Sequence, residues 1–308
     1  YIYIYMDELG LCGFKNFGNT CWLNSTIQCL LKTQPMNKLF LQKKMVNQLT
    51  HKMILSNEWL RLIKGVNEEN CIITPLSFFK SVIISANKNN YIFNFNRQND
   101  VQEFLVFFID SLHEELKHKV NISITGKIIN DLDKMAFEAM KQWKSYFKNQ
   151  YSDIISIFYG QTVSHIKVID EDIHSYNYAA ICTFSLPINM EKEDTTIYDC
   201  FDLFTNTQLL DGDNKWKYDV DGKYYDIEKN LMIWKFPNVL IIHLKRFDNN
   251  GQKINTLIDF PIDKLDLMKY CVGYDKKKSI FSLFGIINHI GNINSGHYYS
   301  FCKNNDKW

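Results

Sequence analysis

Cys21 follows Gly13-Phe14-Lys15-Asn16-Phe17-Gly18-Asn19-Thr20 and precedes Trp22-Leu23-Asn24. Two glycines and two asparagines predict a tight loop. Leu23, Ile27, Leu30 and Leu31 then repeat at helical spacing, so an amphipathic helix begins at the cysteine, with Asn19 and Thr20 as candidate caps. The first turn of a helix presents unpaired backbone N–H groups and the positive end of the dipole, which favour a thiolate over a thiol. The same N–H groups can stabilise an oxyanion on a carbonyl attacked by the sulfur, and the Asn16 side chain can add another donor. Free cysteines are commonly buried packing residues, and Cys29, further along the same helix, is expected to be one. The flanking Gly and Asn residues turn Cys21 toward chemistry instead.

A thiolate nucleophile needs a base, and histidine is the usual one. Asn288-His289-Ile290-Gly291-Asn292-Ile293-Asn294-Ser295-Gly296-His297-Tyr298-Tyr299-Ser300 offers a glycine-bounded loop that ends on His297 and runs into an aromatic strand. Alone, a Gly-His-Tyr tripeptide is weak evidence, because a lone histidine is more often a surface or satisfied core residue.

The elements that must position these two residues differ between the halves of the chain. Before Gly160 the pattern is helical: Val101, Phe104, Leu105, Phe108 and Leu112 form one face, with Asp100 and Glu103 as a variant capping box. Phe137, Met140, Trp143, Phe147, Ile154, Ile155 and Phe158 predict a further helix. After Gly160 short strands are predicted at 165–169, 178–186, 231–234, 239–244, 281–288 and 298–302, separated by polar turns such as Asp248-Asn249-Asn250-Gly251. Tyr1 to Met6 alternates Tyr and Ile and also suits a strand. Helices followed by strands, without alternation, predict an α+β fold.

With 308 residues, 46% hydrophobic and 15% aromatic, the chain can bury a substantial core. A formal net charge of +1 advertises neither a nucleic-acid nor a membrane surface. Eight scattered cysteines, with no C-x-x-C pair, predict thiols in a reducing compartment, the cytoplasm or nucleus. Val239 to Leu244 is the most apolar stretch and far too short to span a bilayer.

Taken together, Gly13-Phe14-x-Asn16-x-Gly18-Asn19-Thr20-Cys21-Trp22-x-Asn24 resembles the cysteine box of the ubiquitin-specific protease family. Asn288-His289-x-Gly291, followed by Gly296-His297-Tyr298, resembles its histidine box. Gln98-Asn99-Asp100-Val101-Gln102-Glu103-Phe104 is similar to a helix start of that family, and Leu240 to Phe247 to the strand before its first blocking loop. Trp234 to Pro237 and Phe260-Pro261 also fit. The resemblance runs in order from Gly13 to Trp308.

It implies a papain-like fold in one catalytic domain over residues 1–308, with a helical thumb at about 10–155 and a β-rich palm and fingers at about 156–308. It implies a thiol protease, a deubiquitinase that hydrolyses the peptide or isopeptide bond after the last glycine of ubiquitin. Cys21 would be the nucleophile, His297 the general base and acid, and Asn16 the oxyanion donor. Residues matching Asp100, Gln102 and Glu103 hold the ubiquitin tail in the family. Those matching Phe247, His289, Gly296 and Tyr298 line its channel. Ubiquitin and ubiquitinated proteins are the expected partners of a monomer that needs no cofactor.

Two departures from the family pattern stand out. The positions of its finger zinc ligands fall on Val168, Glu171, Tyr218 and Asp221, which predicts fingers without metal, because valine can supply no ligand. The third triad residue of the family would lie past Trp308, as if the sequence stopped short of a last strand. These departures leave open a ubiquitin-binding scaffold with impaired catalysis, and a further reading keeps the chemistry but makes the substrate a ubiquitin-like modifier.

Overall fold

The computed structural model describes residues 12–66, 72–190, 192, 194–304 and 307–308. The strand expected at Tyr1 to Met6 lies outside them. The chain divides into two compact units, one of Lys119–Gln150 with Phe158–Ser282, the other of Tyr1–His118 with Tyr151–Ile157 and Leu283–Trp308.

In the unit of Lys119–Gln150 and Phe158–Ser282, four antiparallel strands form a sheet. They are β1 (Gly160–Val168), β2 (His174–Ile181), β3 (Gln208–Leu210) and β4 (Ile227–Lys235), in the order β2-β1-β4-β3. Val163 sits opposite Tyr178 on one side and Met232 on the other. Alternation along the strands carries Val163, Tyr178 and Trp234 to one face, where they bury against Ala136 and Ala139 of the helix Asp131–Phe147. That helix starts at a reciprocal capping box between Asn130 and Asp133. A second core gathers Phe184, Leu186, Cys200, Phe201, Ile233, Phe236 and Tyr270. The strand Thr183–Leu186 there runs parallel to Ile241–Leu244. The helix Ile197–Thr205 contributes Cys200 and Phe201, and begins at a second capping box, Thr196 with Asp199.

Two expectations are corrected. The apolar period from Phe137 to Phe158 belongs to two helices, Asp131–Phe147 and Asp153–Phe158, because Tyr151 leaves the helical path to bridge His118. Phe137 and Met140 are exposed and form no core face. Cys12 is held in a disulfide, against the expectation of thiols throughout. Cys21, Cys29, Cys182, Cys200, Cys271 and Cys302 are free thiols.

The other unit is helical apart from short pairings and a hairpin. Its main helices are α1 (Cys21–Leu31), α2 (Ile54–Gly65), α3 (Leu76–Lys88) and α4 (Val101–Leu116). An aromatic core joins them. The fully buried Trp22 stacks on Phe93 at 5.5 Å and meets Phe104 edge-on at 5.0 Å, while Trp59 of α2 packs on Phe108 of α4 at 5.1 Å. Each such pair adds about 0.5–1.5 kcal/mol beyond area burial. Ser25 and Thr26 are buried in α1 without leaving an orphaned hydroxyl, since each donates back to a carbonyl four residues earlier, Cys21 and Trp22, at 2.7 Å.

Leu283–Trp308 returns to this unit as a hairpin of β5 (Gly285–Gly291) and β6 (Gly296–Cys302), in register from Gly285 opposite Cys302 to Gly291 opposite Gly296. Both strands pack against α1. The connecting turn is closed by Asn292, whose Oδ1 accepts from the N–H groups of Asn294 and Ser295, both at 2.9 Å.

Candidate active site

Cys21 is the first residue of α1 and is buried. Thr20 is the N-cap residue by position, as expected, but its side chain does not cap the helix. It faces backward instead. The Thr20 hydroxyl accepts from the Phe17 N–H at 3.1 Å and donates to Asn16 Oδ1 at 2.8 Å. The Thr20 N–H donates to the same oxygen at 3.3 Å. The carbonyl end of the exposed Asn16 side chain is therefore committed, which leaves its NH2 end as the group available to a ligand.

The Cys21 thiol donates to Gln98 Oε1 at 3.5 Å. Gln98 is half-buried and stands two residues before Asp100, the N-cap of α4, whose Oδ1 accepts from the Glu103 N–H at 2.8 Å. That cap bears out half of the expected box. Gln102 is half-buried in the first turn of α4, and Asp100 and Glu103 are exposed.

Tyr298 connects this corner to the hairpin. Its hydroxyl is pushed up to about 12, chiefly by burial and then by the Asp100 carboxylate, with Cys21 adding to the effect. The Val101 N–H at the start of α4 donates to it and works in the opposite direction. A phenol of that kind stays neutral across the physiological range. His289 is cross-strand from Tyr298, with ring centroids 4.6 Å apart. A side chain at Gly296 would run into the His289 ring nitrogen and the Ile290 carbonyl, so the close approach demands glycine.

The folded chain thus gathers Cys21, Asp100, His289, Gly296 and Tyr298, from segments nearly the whole length of the chain apart, within one unit. His297 is the second residue of β6, exposed, and opposite Ile290. Among the described residues its side chain makes no hydrogen bond. Phe247 lies in the other unit, half-buried, where it bridges Lys253 across the turn at Gly251. Sequence reasoning missed two contributors. The chain order presents Thr20 as a cap and not as the anchor of Asn16. Gln98 stands out only as part of a motif, and no local signal points its amide at Cys21.

The model of one family, described as ubiquitin carboxyl-terminal hydrolase, matches residues 12–308. The chain belongs to that family. It is similar to ubiquitin carboxyl-terminal hydrolase 2 of Homo sapiens, 31% identical over 307 residues, covering 96% of this chain and 49% of the relative. With the Drosophila melanogaster hydrolase Usp2 it shares 30% identity over 307 residues, covering 97% of this chain and 32% of that protein. The chain thus spans half or less of the length of these relatives. Among solved structures it is similar to the SAGA DUB module Ubp8/Sgf11/Sus1/Sgf73 bound to monoubiquitin, with a TM-score of 0.69 and 22% identity over 98% of this chain and 63% of that one. That likeness establishes the α+β fold of the ubiquitin-specific proteases for this member of the hydrolase family.

Proposed function

We propose that this hydrolase-family chain cleaves the peptide or isopeptide bond after the C-terminal glycine of ubiquitin through a thioester on Cys21. The observation that carries the reading is the seating of Cys21 at the first turn of α1 beside an Asn16 amide whose carbonyl is tied to Thr20. Cys21 attacks the glycine carbonyl. The developing oxyanion is met by the Asn16 NH2 and by unpaired N–H groups of the first turn of α1. His297 takes the thiol proton and returns it to the departing lysine amine, after which water hydrolyses the thioester. Packing of α1 against β6 supports His297 in that role, and hydrogen bonds to a catalytic base commonly tighten only once substrate is bound.

Asp100, Gln102 and Glu103 are assigned to holding the ubiquitin tail, and His289, Gly296 and Tyr298 to lining its path. Their gathering beside Cys21 supports this for Asp100, His289, Gly296 and Tyr298. Phe247 keeps its tail-binding assignment on the family resemblance alone. A Gly-Gly tail has no side chains, so a narrow path excludes most other sequences. We place the protein as a monomer in the cytoplasm or nucleus; six free cysteines among the described residues favour a reducing compartment, and the Cys12 disulfide weighs against it. Among the described residues no helix is long and apolar enough to cross a membrane.

The test is hydrolysis of ubiquitin bearing a fluorescent amide at its C-terminus, with Cys21→Ala beside it. Turnover that disappears in the variant is the expected result. Binding of ubiquitin without turnover would make the chain a scaffold, and turnover confined to another modifier would move the substrate to a ubiquitin-like protein.

A further inference from the structure

Cys29 and Cys302 are 273 residues apart in sequence, yet their sulfurs lie 3.6 Å from each other. Cys29 is on α1, the helix that begins at Cys21. Cys302 ends β6, the strand that carries His297. The fold makes room for this meeting. A Cβ on Gly285 would come within 3.0 Å of the Cys29 sulfur and 3.2 Å of its Cβ, so glycine lets Cys29 lie directly on β5.

The surroundings differ from those of a pair of inert core thiols. Both cysteines are only half-buried, and Lys32, also half-buried, brings an ammonium close to Cys302 while donating to Asn304 Oδ1 at 2.8 Å. A hydrogen bond from Cys29 lowers the Cys302 thiol, with Ser300 and Lys32 acting in the same direction against burial. The same contact and burial push Cys29 up. The Lys32 ammonium stands on the Cys302 side of the pair, which favours Cys302 as the attacking thiolate and leaves Cys29 as its resolving partner. Two of the other thiols are turned to oxygen instead: Cys21 donates to Gln98, and Cys271 donates to the Trp234 carbonyl at 3.5 Å.

We propose that Cys29 and Cys302 form an oxidative modification site, which peroxides close into a disulfide tying the helix of Cys21 to the strand of His297. The Cys302 thiolate attacks one oxygen of hydrogen peroxide, the O–O bond breaks, and hydroxide leaves and takes up the proton that Cys302 had released, giving the first water and Cys302 as a sulfenic acid. The Cys29 sulfur then attacks the Cys302 sulfur. An S–S bond forms, the S–O bond breaks, and the Cys29 proton leaves with the hydroxyl as water. In sum two thiols and one peroxide give one disulfide and two waters, with the sulfurs oxidised and the peroxide reduced.

Closing 3.6 Å to a disulfide length of about 2.05 Å draws the sulfurs together by about 1.5 Å. Misplacements of about 1 Å can cost a catalytic site on the order of a hundredfold. Whatever part of that travel side-chain rotation does not absorb shifts α1 against β6, so oxidation is expected to suppress turnover reversibly, by up to on the order of a hundredfold. This effect on rate rests on the function proposed above; formation of the bond does not.

The experiment treats the full chain with hydrogen peroxide, alkylates the remaining thiols, digests without reductant and maps the peptides by mass spectrometry. Turnover of the ubiquitin amide is followed in parallel, alongside a Cys302→Ser chain. The expected result is a linked Cys29–Cys302 peptide pair with Cys21 still alkylated. Loss of turnover should follow the linkage, dithiothreitol should reverse both, and the Cys302→Ser chain should resist that dose. Absence of the linked pair while Cys302 remains thiol, or reaches sulfinic acid, overturns the site. A linked pair with unchanged turnover overturns the inhibition. If the reduced chain shows no turnover at all, the proposed function fails while the peptide map still decides the disulfide.

Discussion

Replacing Thr20 by valine tests whether Asn16 works as a preorganised donor. Thr20 is fully buried, and valine keeps its shape while removing a hydroxyl that accepts from the Phe17 N–H at 3.1 Å and donates to Asn16 Oδ1 at 2.8 Å. Losing the two bonds, with the Phe17 N–H left short of a partner, should cost about 1–3 kcal/mol of stability. The catalytic effect should be smaller than removing the amide outright. The Thr20 N–H still reaches Asn16 Oδ1 at 3.3 Å, so one of two anchors survives. Loss of an oxyanion donor costs about 10²–10³ in kcat. Asn16→Ala should show that full loss and Thr20→Val on the order of tenfold, with KM nearly unchanged because the oxyanion exists only in the transition state. Thr20→Ser, which keeps the hydroxyl, should retain most of the rate. Steady-state kinetics on the ubiquitin amide, beside urea denaturation, separates rate from stability. In an Asn16→Ala background, Thr20→Val should still lower stability yet leave kcat where Asn16→Ala put it. Multiplying kcat losses in the double variant would refute the argument, as would a destabilised Thr20→Val chain with unaltered kcat.

Gln98→Glu should place a carboxylate where the amide oxygen now lies 3.5 Å from the Cys21 sulfur. A like charge there disfavours the thiolate, so the pH profile of Cys21 alkylation by iodoacetamide should move to higher pH by about a unit or more; an unmoved profile would separate Gln98 from the thiol. Asp199 caps the helix Ile197–Thr205, and the Lys192 ammonium and Thr196 hold its carboxyl well below the usual carboxylate range. A depressed folded value stabilises the protein above the unfolded carboxylate range and is lost as pH falls through the folded value. Asp199→Ala should therefore cost about 1 kcal/mol at neutral pH, and its deficit should narrow as the medium is acidified below about pH 4. Denaturation curves at several pH values would show this, and a deficit independent of pH would contradict it.

Family membership and several local elements were legible because their signals are local. The start of α1 at Cys21, the Asp100 cap of α4, the glycine–asparagine turn before Gly296 and the strand of Tyr298 to Cys302 follow from periodicity and turn chemistry. The capping box at Thr196 and Asp199 is equally local, but its nine-residue helix is easily overlooked in a strand-rich half. Apolar spacing misled at Phe137 and Met140, because a period identifies a face without saying whether anything covers it. The break between Asp131–Phe147 and Asp153–Phe158 arises from the Tyr151 bridge to His118, a pairing that no run of side chains announces.

Which groups are available for the proposed acyl transfer can be read along the chain, since residue types and helix-start signals are properties of neighbours in sequence. Folding in three dimensions is what sets Thr20 on Asn16, the Cys21 thiol on Gln98 and the Val101 N–H on Tyr298. It alone set Cys29 against Cys302. Such contacts depend on distances of a few ångströms between segments brought together by burial of a shared core. Hydrogen bonding and charge act over those distances in space, without regard to separation along the chain.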